Sequence, residues 1–301
     1  MTDIVYPMPR LEGRSRPRRA TGIARLWQKA NTPSRIYLAL FAVVLLLTVL
    51  GPLLAPFHPD AQTLLARLRP PVGFDRAMPA HPLGTDQLGR DLLSRTLHGL
   101  QLTMLIALVG SLISLVIGVT LGVIAGYARG RLGSAIMALV DIQIAVPFTL
   151  IALLVIAIFG NSLPVLILVI GVSGWEVYAR IVRAQVLSLS RQPFVEAAIA
   201  AGASHSRILL RHVLPNAASP IIVVWTMTFS AVILLESSLS FLGLGVQPPT
   251  ATLGSMVGLG RDYLASSPWI AVVPSLTIMF VSLLVLLIGD WLRDALDVKL
   301  K

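Results

Sequence analysis

The chain has 301 residues, of which 55% are hydrophobic and only 13% charged, and its mean hydropathy is +0.82. This composition excludes an ordinary soluble domain and indicates an integral membrane protein. The net charge of +10 does not indicate nucleic-acid binding, because the basic residues crowd into short connectors between apolar segments and so fit membrane orientation better. The lack of cysteine excludes a disulfide framework, a thiolate nucleophile and a Cys-ligated metal site.

A basic arm precedes the first apolar segment. Residues 1–35 contain several prolines and a cluster of arginines from Arg14 to Arg19, which predicts a disordered cytoplasmic arm near anionic lipid. The apolar segment at 36–57 is too long for a signal peptide, and Pro56 directly follows its nearest candidate cleavage site. We therefore interpret this segment as the first transmembrane helix.

Six apolar segments are long enough to cross hydrocarbon about 30 Å thick, which takes about 20 helical residues. We place them at 36–57, 100–127, 135–159, 162–180, 217–241 and 269–290. The sequence therefore predicts an all-α integral membrane protein with six transmembrane helices, the last five within a transmembrane domain over 100–290. Pro147 removes one backbone donor and predicts a kink in the third helix.

Lysines and arginines are distributed unequally between the two sets of connectors. The set that includes both chain ends and the 180–216 connector carries 18, and the opposite set carries six. Because positive residues mark the cytoplasmic side, both termini are predicted to be cytoplasmic, including a tail at 291–301. The 58–99 loop is then external, and its leucine spacing predicts an amphipathic helix over 81–95 that packs on the outer surface.

Small residues recur every four positions along the second predicted span. This spacing places them on one helix face, where another backbone can approach closely. The residues are Gly110, Ser114, Gly118, Gly122 and Gly126. We interpret this face as a helix-packing surface, with a conduit lined by small side chains as the alternative.

Ionisable residues inside spans are costly and are therefore functional candidates. Asp141, Glu176, Arg180 and Glu236 lie within or near the predicted spans. Most lie close to span ends, where hydration or an i, i+4 pair such as Glu176 with Arg180 lowers the cost. A structural or mouth-lining role is favoured over a proton relay. The alternative is an ion-coupled secondary transporter that uses Asp141 and Glu236.

The sequence contains no motif of an enzyme active site. Its three lysines, Lys29, Lys299 and Lys301, do not follow the glycines of a Walker A loop. It contains neither H-E-x-x-H nor G-x-S-x-G, which would indicate a zinc site or an activated serine. We therefore predict that the chain is not an enzyme and holds neither a cofactor nor a metal.

The segment at 193–215 is polar and basic although apolar runs flank it. Pro193 suits a first helical position, Glu196 favours the first turn, and Gly202 is typical of a helix stop. A helix of about nine residues is marginal in water and needs support. Packing on the protein's own inner loops and docking into a groove of a cytoplasmic partner are both open.

A second short helix is predicted after the glycine. Ser204 or Ser206 can cap it, and Pro215 is predicted to interrupt it before the fifth span. The first helix carries a small apolar face of four residues with no obvious internal partner. These are Phe194, Ala197, Ala198 and Ala201.

Glu196-Ala197-Ala198, Gly202 and Leu214-Pro215 together resemble the EAA loop of ABC importer permeases, with His212 where the general pattern has isoleucine. Four further stretches resemble the C-type permease subunit of dipeptide, oligopeptide and nickel uptake systems. They are HPLGTDQLGRDLLSR (81–95), ESSLSFLGLGVQPP (236–249), GRDYL (260–264) and GDWLRDALD (289–297). The resemblance runs from about residue 36 to residue 300.

The resemblance implies a type I ABC importer permease fold in the bacterial inner membrane. It implies a second, related permease subunit, two cytoplasmic ATPase subunits that bind ATP and magnesium, and an external solute-binding protein that delivers peptides or related solutes. Within the 193–215 loop it implies that Glu196 contacts an ATPase, that Ala197 and Ala198 form the close-packing surface, that Gly202 forms the bend, and that Leu214-Pro215 leads into the fifth span.

Overall fold

The structure is a computed structural model that describes residues 31–128 and 130–296. Most of the predicted arm at 1–35, and residues 297–301 of the predicted tail, lie outside the described residues. The described chain is built from helices, which we number in order. They are α1 (Thr32–Leu54), α2 (Leu92–Tyr127), α3 (Arg131–Ala145), α4 (Phe148–Phe159), α5 (Leu163–Gly171), α6 (Trp175–Leu189), α7 (Pro193–Ala200), α8 (His205–Ile208), α9 (Leu214–Phe241), α10 (Leu253–Gly260) and α11 (Trp269–Leu296).

The described residues contain five to six candidate membrane spans. Five helices or runs of consecutive helices are long and apolar enough to cross a bilayer: α1, α2, residues 163–189, residues 205–241, and α11. Helices α3 and α4 pass the same test only as a pair, bent by 88°. Each of the six predicted segments falls on one of these candidates, and the all-helical architecture is confirmed for the described residues.

The third predicted span is broken rather than kinked. Helix α3 ends at Ala145 and α4 begins at Phe148, with Val146 extended at φ −97° and ψ 126°. The ring of Pro147 disfavours helical geometry at the residue before it. Pro147 lacks a backbone N–H donor and Val146 is extended, so the helix ends here and the chain turns sharply before α4 begins.

The fourth predicted span is also interrupted. Between α5 and α6 the chain passes through Gly174, which has the left-handed φ of 78°. The hydroxyl of Ser114 on α2 donates to the carbonyl of Gly171 at 2.9 Å and also contacts the carbonyl of Ser173. Helix α2 therefore provides a hydrogen-bond donor for backbone carbonyls that the break leaves unpaired. Lipid has no donor to offer them.

Helix α2 lies at the centre of the bundle. Its N-terminal half joins the main apolar core through residues such as Met104 and Ile106, against α5, α9 and α11. Its C-terminal half carries Val119 and Val123, which pack with Val182 and Val186 of α6. Because α2 contacts most other spans, it fixes their relative positions.

The segment before α2 is folded by buried polar contacts. We call it the polar cap, and its buried members are His81, Thr85, Asp86, Arg90, Asp91 and Arg95. Asp86 accepts a hydrogen bond from Arg90 Nε at 2.6 Å, and Arg95 Nε lies 3.6 Å from the same carboxylate. Trp269 at the start of α11 donates to the carbonyl of Thr85 at 3.2 Å. The cap therefore ties the start of α2 to α11.

The predicted amphipathic helix over 81–95 is wrong for residues 81–91. The helix begins only at Leu92, where the Asp91 carboxylate accepts from the backbone N–H of Ser94 at 2.7 Å. Gly84 and Gly89 take left-handed φ angles of 82° and 74°, which fold this stretch into turns instead. The polar side chains that suggested an exposed face point into the cap.

Candidate functional site

The 193–215 loop opens with a helix that ends at a glycine. Helix α7 begins at Pro193 and has Glu196 in its first turn. The N–H of Gly202 bonds to the carbonyl of Ile199 at 2.9 Å, and the N–H of Ala203 bonds to that of Ala198 at 3.0 Å. With φ of 76° at Gly202, this is a Schellman helix end. The chain turns sharply here, where the sequence predicts a stop.

Helix α7 has one supported face and one exposed face. Val195 is only 2% exposed and packs with Ile208 and Val213 of the same loop and with Val182 and Val186 of α6; Ala198 is half-buried beside them. The opposite side is open. Its exposed residues are Phe194, Glu196, Ala197, Ile199, Ala200 and Ala201. Among the four residues predicted to lack an internal partner, Ala198 therefore differs, because it contributes to internal packing.

The second half of the loop continues directly into α9. Ser204 precedes α8 at the capping position, but its hydroxyl lies 3.4 Å from that of Ser206 and makes no cap bond. A π-helical turn at 209–213 then joins α8 to α9. The predicted interruption at Pro215 is wrong. Pro215 lies in the first turn of α9, and the wider π turn before it accommodates a ring that an α-helical interior would not.

A polar contact ties the loop to the far end of α2. The hydroxyl of Tyr127 hydrogen-bonds to Nδ1 of His205, and the two rings meet edge to face with centroids 5.4 Å apart. Sequence reasoning missed this pair because 78 residues separate the two positions and neither belongs to a motif. The contact joins the loop directly to the central helix.

The small residues of α2 face α5 and α6 of the same chain. A Cβ built at Gly122 would lie 2.8 Å from the carbonyl oxygen of Ala179, and one built at Gly126 would lie 2.7 Å from the Cβ of Val186. The other three small residues have similar surroundings. Gly110 faces Ile170, Ser114 bonds to the break after α5, and Gly118 faces Trp175 and Tyr178. Along this face the helix backbones are in close contact.

The ionisable residues of the spans are arranged differently from the expectation. Arg180 pairs with Asp141 of α3 at 3.0 Å, rather than with Glu176 one turn away. Glu236 is fully buried and accepts a hydrogen bond from Ser240 at 2.7 Å. Asp141 and Glu236 therefore have separate local partners, and no geometry among the described residues joins them in one ion site.

The described residues thus form a helical chain of five to six candidate membrane spans, with a helix–glycine–helix loop between two of them. The chain matches the family model described as "binding-protein-dependent transport system inner membrane component" over residues 118–301. That match covers more than half of the chain. This protein belongs to that family, and it is accordingly an inner-membrane component of an ABC importer.

Related proteins match over two thirds of the chain or more. It is 39% identical over 300 residues to the di/tripeptide transport system permease protein DppC of Pseudomonas aeruginosa, with 99% of this chain and 95% of the relative covered. It is 40% identical over 222 residues to the glutathione transport system permease protein GsiD of Pectobacterium atrosepticum, covering 74% of each chain. Among solved structures, a chain of the MetNI methionine ABC transporter in an inward-facing conformation matches with a TM-score of 0.57 at 20% identity, covering 67% of this chain and 96% of that one.

Proposed function

We propose that this chain forms half of the translocation route of an ATP-driven importer for peptides or related small solutes. It crosses the membrane six times with both termini in the cytoplasm, as the excess of positive residues on that side supports. A second, related permease subunit forms the other half, and membrane lipid surrounds both. The names of the relatives, which include di/tripeptide and glutathione transport, support this class of cargo.

The 193–215 loop is the element through which ATPase subunits move the permease. The observation that carries this proposal is the difference in burial between the two faces of α7. Val195 anchors the helix on its own subunit, while Phe194 is 41% exposed and Ile199 is 55% exposed. A helix of eight residues needs tertiary support, and the unpaired side fits an apolar groove of a partner.

Within this surface each residue of the motif has a role. Glu196 makes a polar contact to an ATPase, and Ala197 allows the two backbones to approach closely. Ala198, which the sequence assigned to the same surface, instead supports the helix from its own subunit. Gly202 holds the bend, and Leu214 and Pro215 lead into α9. Two ATPase subunits bind ATP and magnesium, and this chain binds neither. An external solute-binding protein delivers the cargo on the opposite side.

The covalent path explains how movement of the loop reaches the spans. Helix α6 ends at Leu189, and turns bonded from Ser190 to Val186 and from Gln192 to Leu189 connect it to α7. On the other side the loop continues into α9 without a break. Closure of the ATP-bound ATPase pair pushes α7. The attached spans then rock as rigid bodies, which switches the pore from inward to outward access.

A charge reversal in the loop tests the proposal. Glu196→Lys, or the added bulk of Gly202→Val, should lower co-purification of the ATPase subunits and ATP-driven uptake by about tenfold, because a hydrogen-bonded charge or the left-handed bend is lost. Membrane insertion of the chain should stay normal. The measurement is pull-down of the ATPases with the permease, followed by uptake into proteoliposomes that hold the complete complex.

Asp262→Lys is the matched control, since Asp262 is an exposed carboxylate outside the loop, with 74% of its side chain exposed. Its reversal should leave ATPase co-purification unchanged. Full co-purification and full uptake by the Glu196→Lys complex would show that the loop assignment is wrong. Crosslinks from α7 only to its own subunit throughout turnover would show the same.

A further inference from the structure

An ion pair lies exposed on the side of the helical bundle. Arg180 Nη2 of α6 lies 3.0 Å from Asp141 Oδ1 of α3, yet 57% of the arginine side chain and 71% of the aspartate side chain are exposed. Most of the surface of both charges is therefore open to whatever surrounds this face of the chain.

The pair lies farther from the helix ends than the sequence predicts, because α6 continues from Arg180, the last residue of the predicted fourth span, to Leu189. Arg180 is roughly 14 Å along α6 from Leu189, and Asp141 is roughly 15 Å along α3 from Arg131, at 1.5 Å per residue. Both helices belong to candidate spans. Charges at such a depth are strongly disfavoured against acyl chains and face protein or a water-filled cavity. This face of the protein is therefore not a lipid surface.

The pair belongs to a longer charged stripe. Glu176, Arg180 and Arg183 follow one another at four-residue and three-residue intervals, which places them on one face of α6. The adjoining face of the helix, with Ala179 and Val182, is buried against the small residues of α2. The close packing of α6 on α2 thus fixes the direction in which the charged side chains of α6 point. Arg180 is the exposed member of this row, because Glu176 and Arg183 are half-buried, with Glu176 Oε2 and Arg183 Nε inside the protein.

The stripe is mechanically connected to the 193–215 loop. Helix α6 carries Arg180 and leads into α7 through hydrogen-bonded turns after Leu189. Asp141 lies on the separate helix α3, whose far end is the 88° break before α4. Arg180 is therefore on the helix that leads directly to α7, whereas Asp141 is on a helix that does not.

We propose that Asp141 and Arg180 form a solute-binding subsite on the water-filled route, and that its ligand is a small zwitterion. The Arg180 guanidinium binds the solute carboxylate through charge-assisted hydrogen bonds, and the Asp141 carboxylate binds the solute ammonium group. Two opposite charges with most of their surface exposed match a solute that carries both groups. This subsite rests on the proposed function, because it requires a route for solutes between two permease subunits.

Thiol labelling tests where this face lies. The chain has no cysteine, so each single substitution gives one reactive group. Val177→Cys places a thiol one turn from Arg180, at a position 45% exposed, and Val43→Cys places one at similar depth on α1, at a position 51% exposed. In the complete complex, a charged methanethiosulfonate reagent should modify Val177→Cys about tenfold faster, because a thiol in water ionises and one in lipid does not.

Labelling that is equally fast, or equally slow, at the two positions would overturn the water-filled route. The result does not depend on uptake of any cargo. The location of the charged face is therefore judged separately from the proposed function.

A charge exchange tests solute binding. Arg180→Gln should lower ATP-driven uptake of dialanine into proteoliposomes by about tenfold, because it removes a charged hydrogen-bond donor. The double variant Asp141→Arg with Arg180→Asp keeps an ion pair at the same place but exchanges its two ends. The double variant should give the same yield of the complex as the wild type but should not restore uptake, because the solute would meet each charge in the wrong position.

Uptake restored to the wild-type rate by the exchange would show that the pair is structural and would overturn the subsite. A wild-type complex that transports under ATP but does not take up dialanine would contradict the zwitterionic ligand. A complex without ATP-driven transport of any solute would contradict the proposed function instead.

Discussion

The polar cap and the 193–215 loop lie at opposite ends of α2, and their surfaces are built in opposite ways. In the cap, charged side chains are buried: Asp86 and Arg90 are each 3% exposed. In the loop, large apolar side chains are exposed, including Ile199 at 55% and Leu210 at 65%. The cap satisfies its polar groups within the chain, whereas the loop leaves apolar area without an internal partner. The first is a structural clamp, and the second is the surface that we propose for a partner protein.

The cap should be the most sensitive region of the chain to loss of a single charge. Asp86→Ala leaves Arg90 and Arg95 buried together without their shared carboxylate. Breaking a buried ion pair from one side costs about 3–5 kcal/mol, so we expect a large drop in the thermal unfolding temperature of the purified chain in detergent. Asp262→Ala is the control, because its pair with Arg261 is exposed on both sides and contributes about 0–1 kcal/mol. Equal effects of the two substitutions would contradict the contrast between clamp and surface.

The close face of α2 should be the next most sensitive. Gly122→Leu places a side chain where a Cβ already comes within 2.8 Å of the Ala179 carbonyl oxygen, so α2 and α6 must separate. Overpacking of this kind costs about 1–3 kcal/mol, and we expect lower yield and lower transport. Val116→Leu on the same helix is the control, since Val116 is 63% exposed and a larger side chain should be tolerated there. Unchanged yield and uptake with Gly122→Leu would contradict the packing role that we assign to this face of α2.

Much of this arrangement is predictable from the sequence because lipid restricts what a chain can do. A span needs about 20 apolar residues, so the positions of the candidate spans follow from composition. The stop at Gly202 is also local, since it needs only a residue that tolerates a left-handed φ. The angle of the break at Pro147 cannot be predicted from the local sequence. Proline predicts that the helix is disturbed, but the 88° angle also depends on how α3 and α4 pack.

Several contacts that sequence reasoning missed join distant positions. Arg180 pairs with Asp141, 39 residues away, and not with a neighbour on its own helix. Trp269 bonds to the carbonyl of Thr85 across 184 residues, in a cap that folds as turns where leucine spacing favours a helix. Within the loop, the spacing identifies the residues of α7, but which of them face inward is set by the hydrophobic cluster that α6 and α8 provide.

Two adjacent residues of α7 allow the smallest and sharpest test of the comparison. Val195→Ala removes a side chain that is only 2% exposed, and the loss of about two methylene equivalents should cost about 1.5 kcal/mol of stability. Phe194→Ala truncates a side chain that is 41% exposed. Its effect on the isolated chain should stay within about 0.5 kcal/mol, while co-purification of the ATPase subunits falls, because aromatic anchors dominate binding surfaces. The two variants should therefore separate stability from partner binding, as measured by thermal unfolding and by pull-down. If Phe194→Ala lowered stability as much as Val195→Ala and left the pull-down intact, α7 would be an internal packing element on both faces, and the contrast with the cap would be lost.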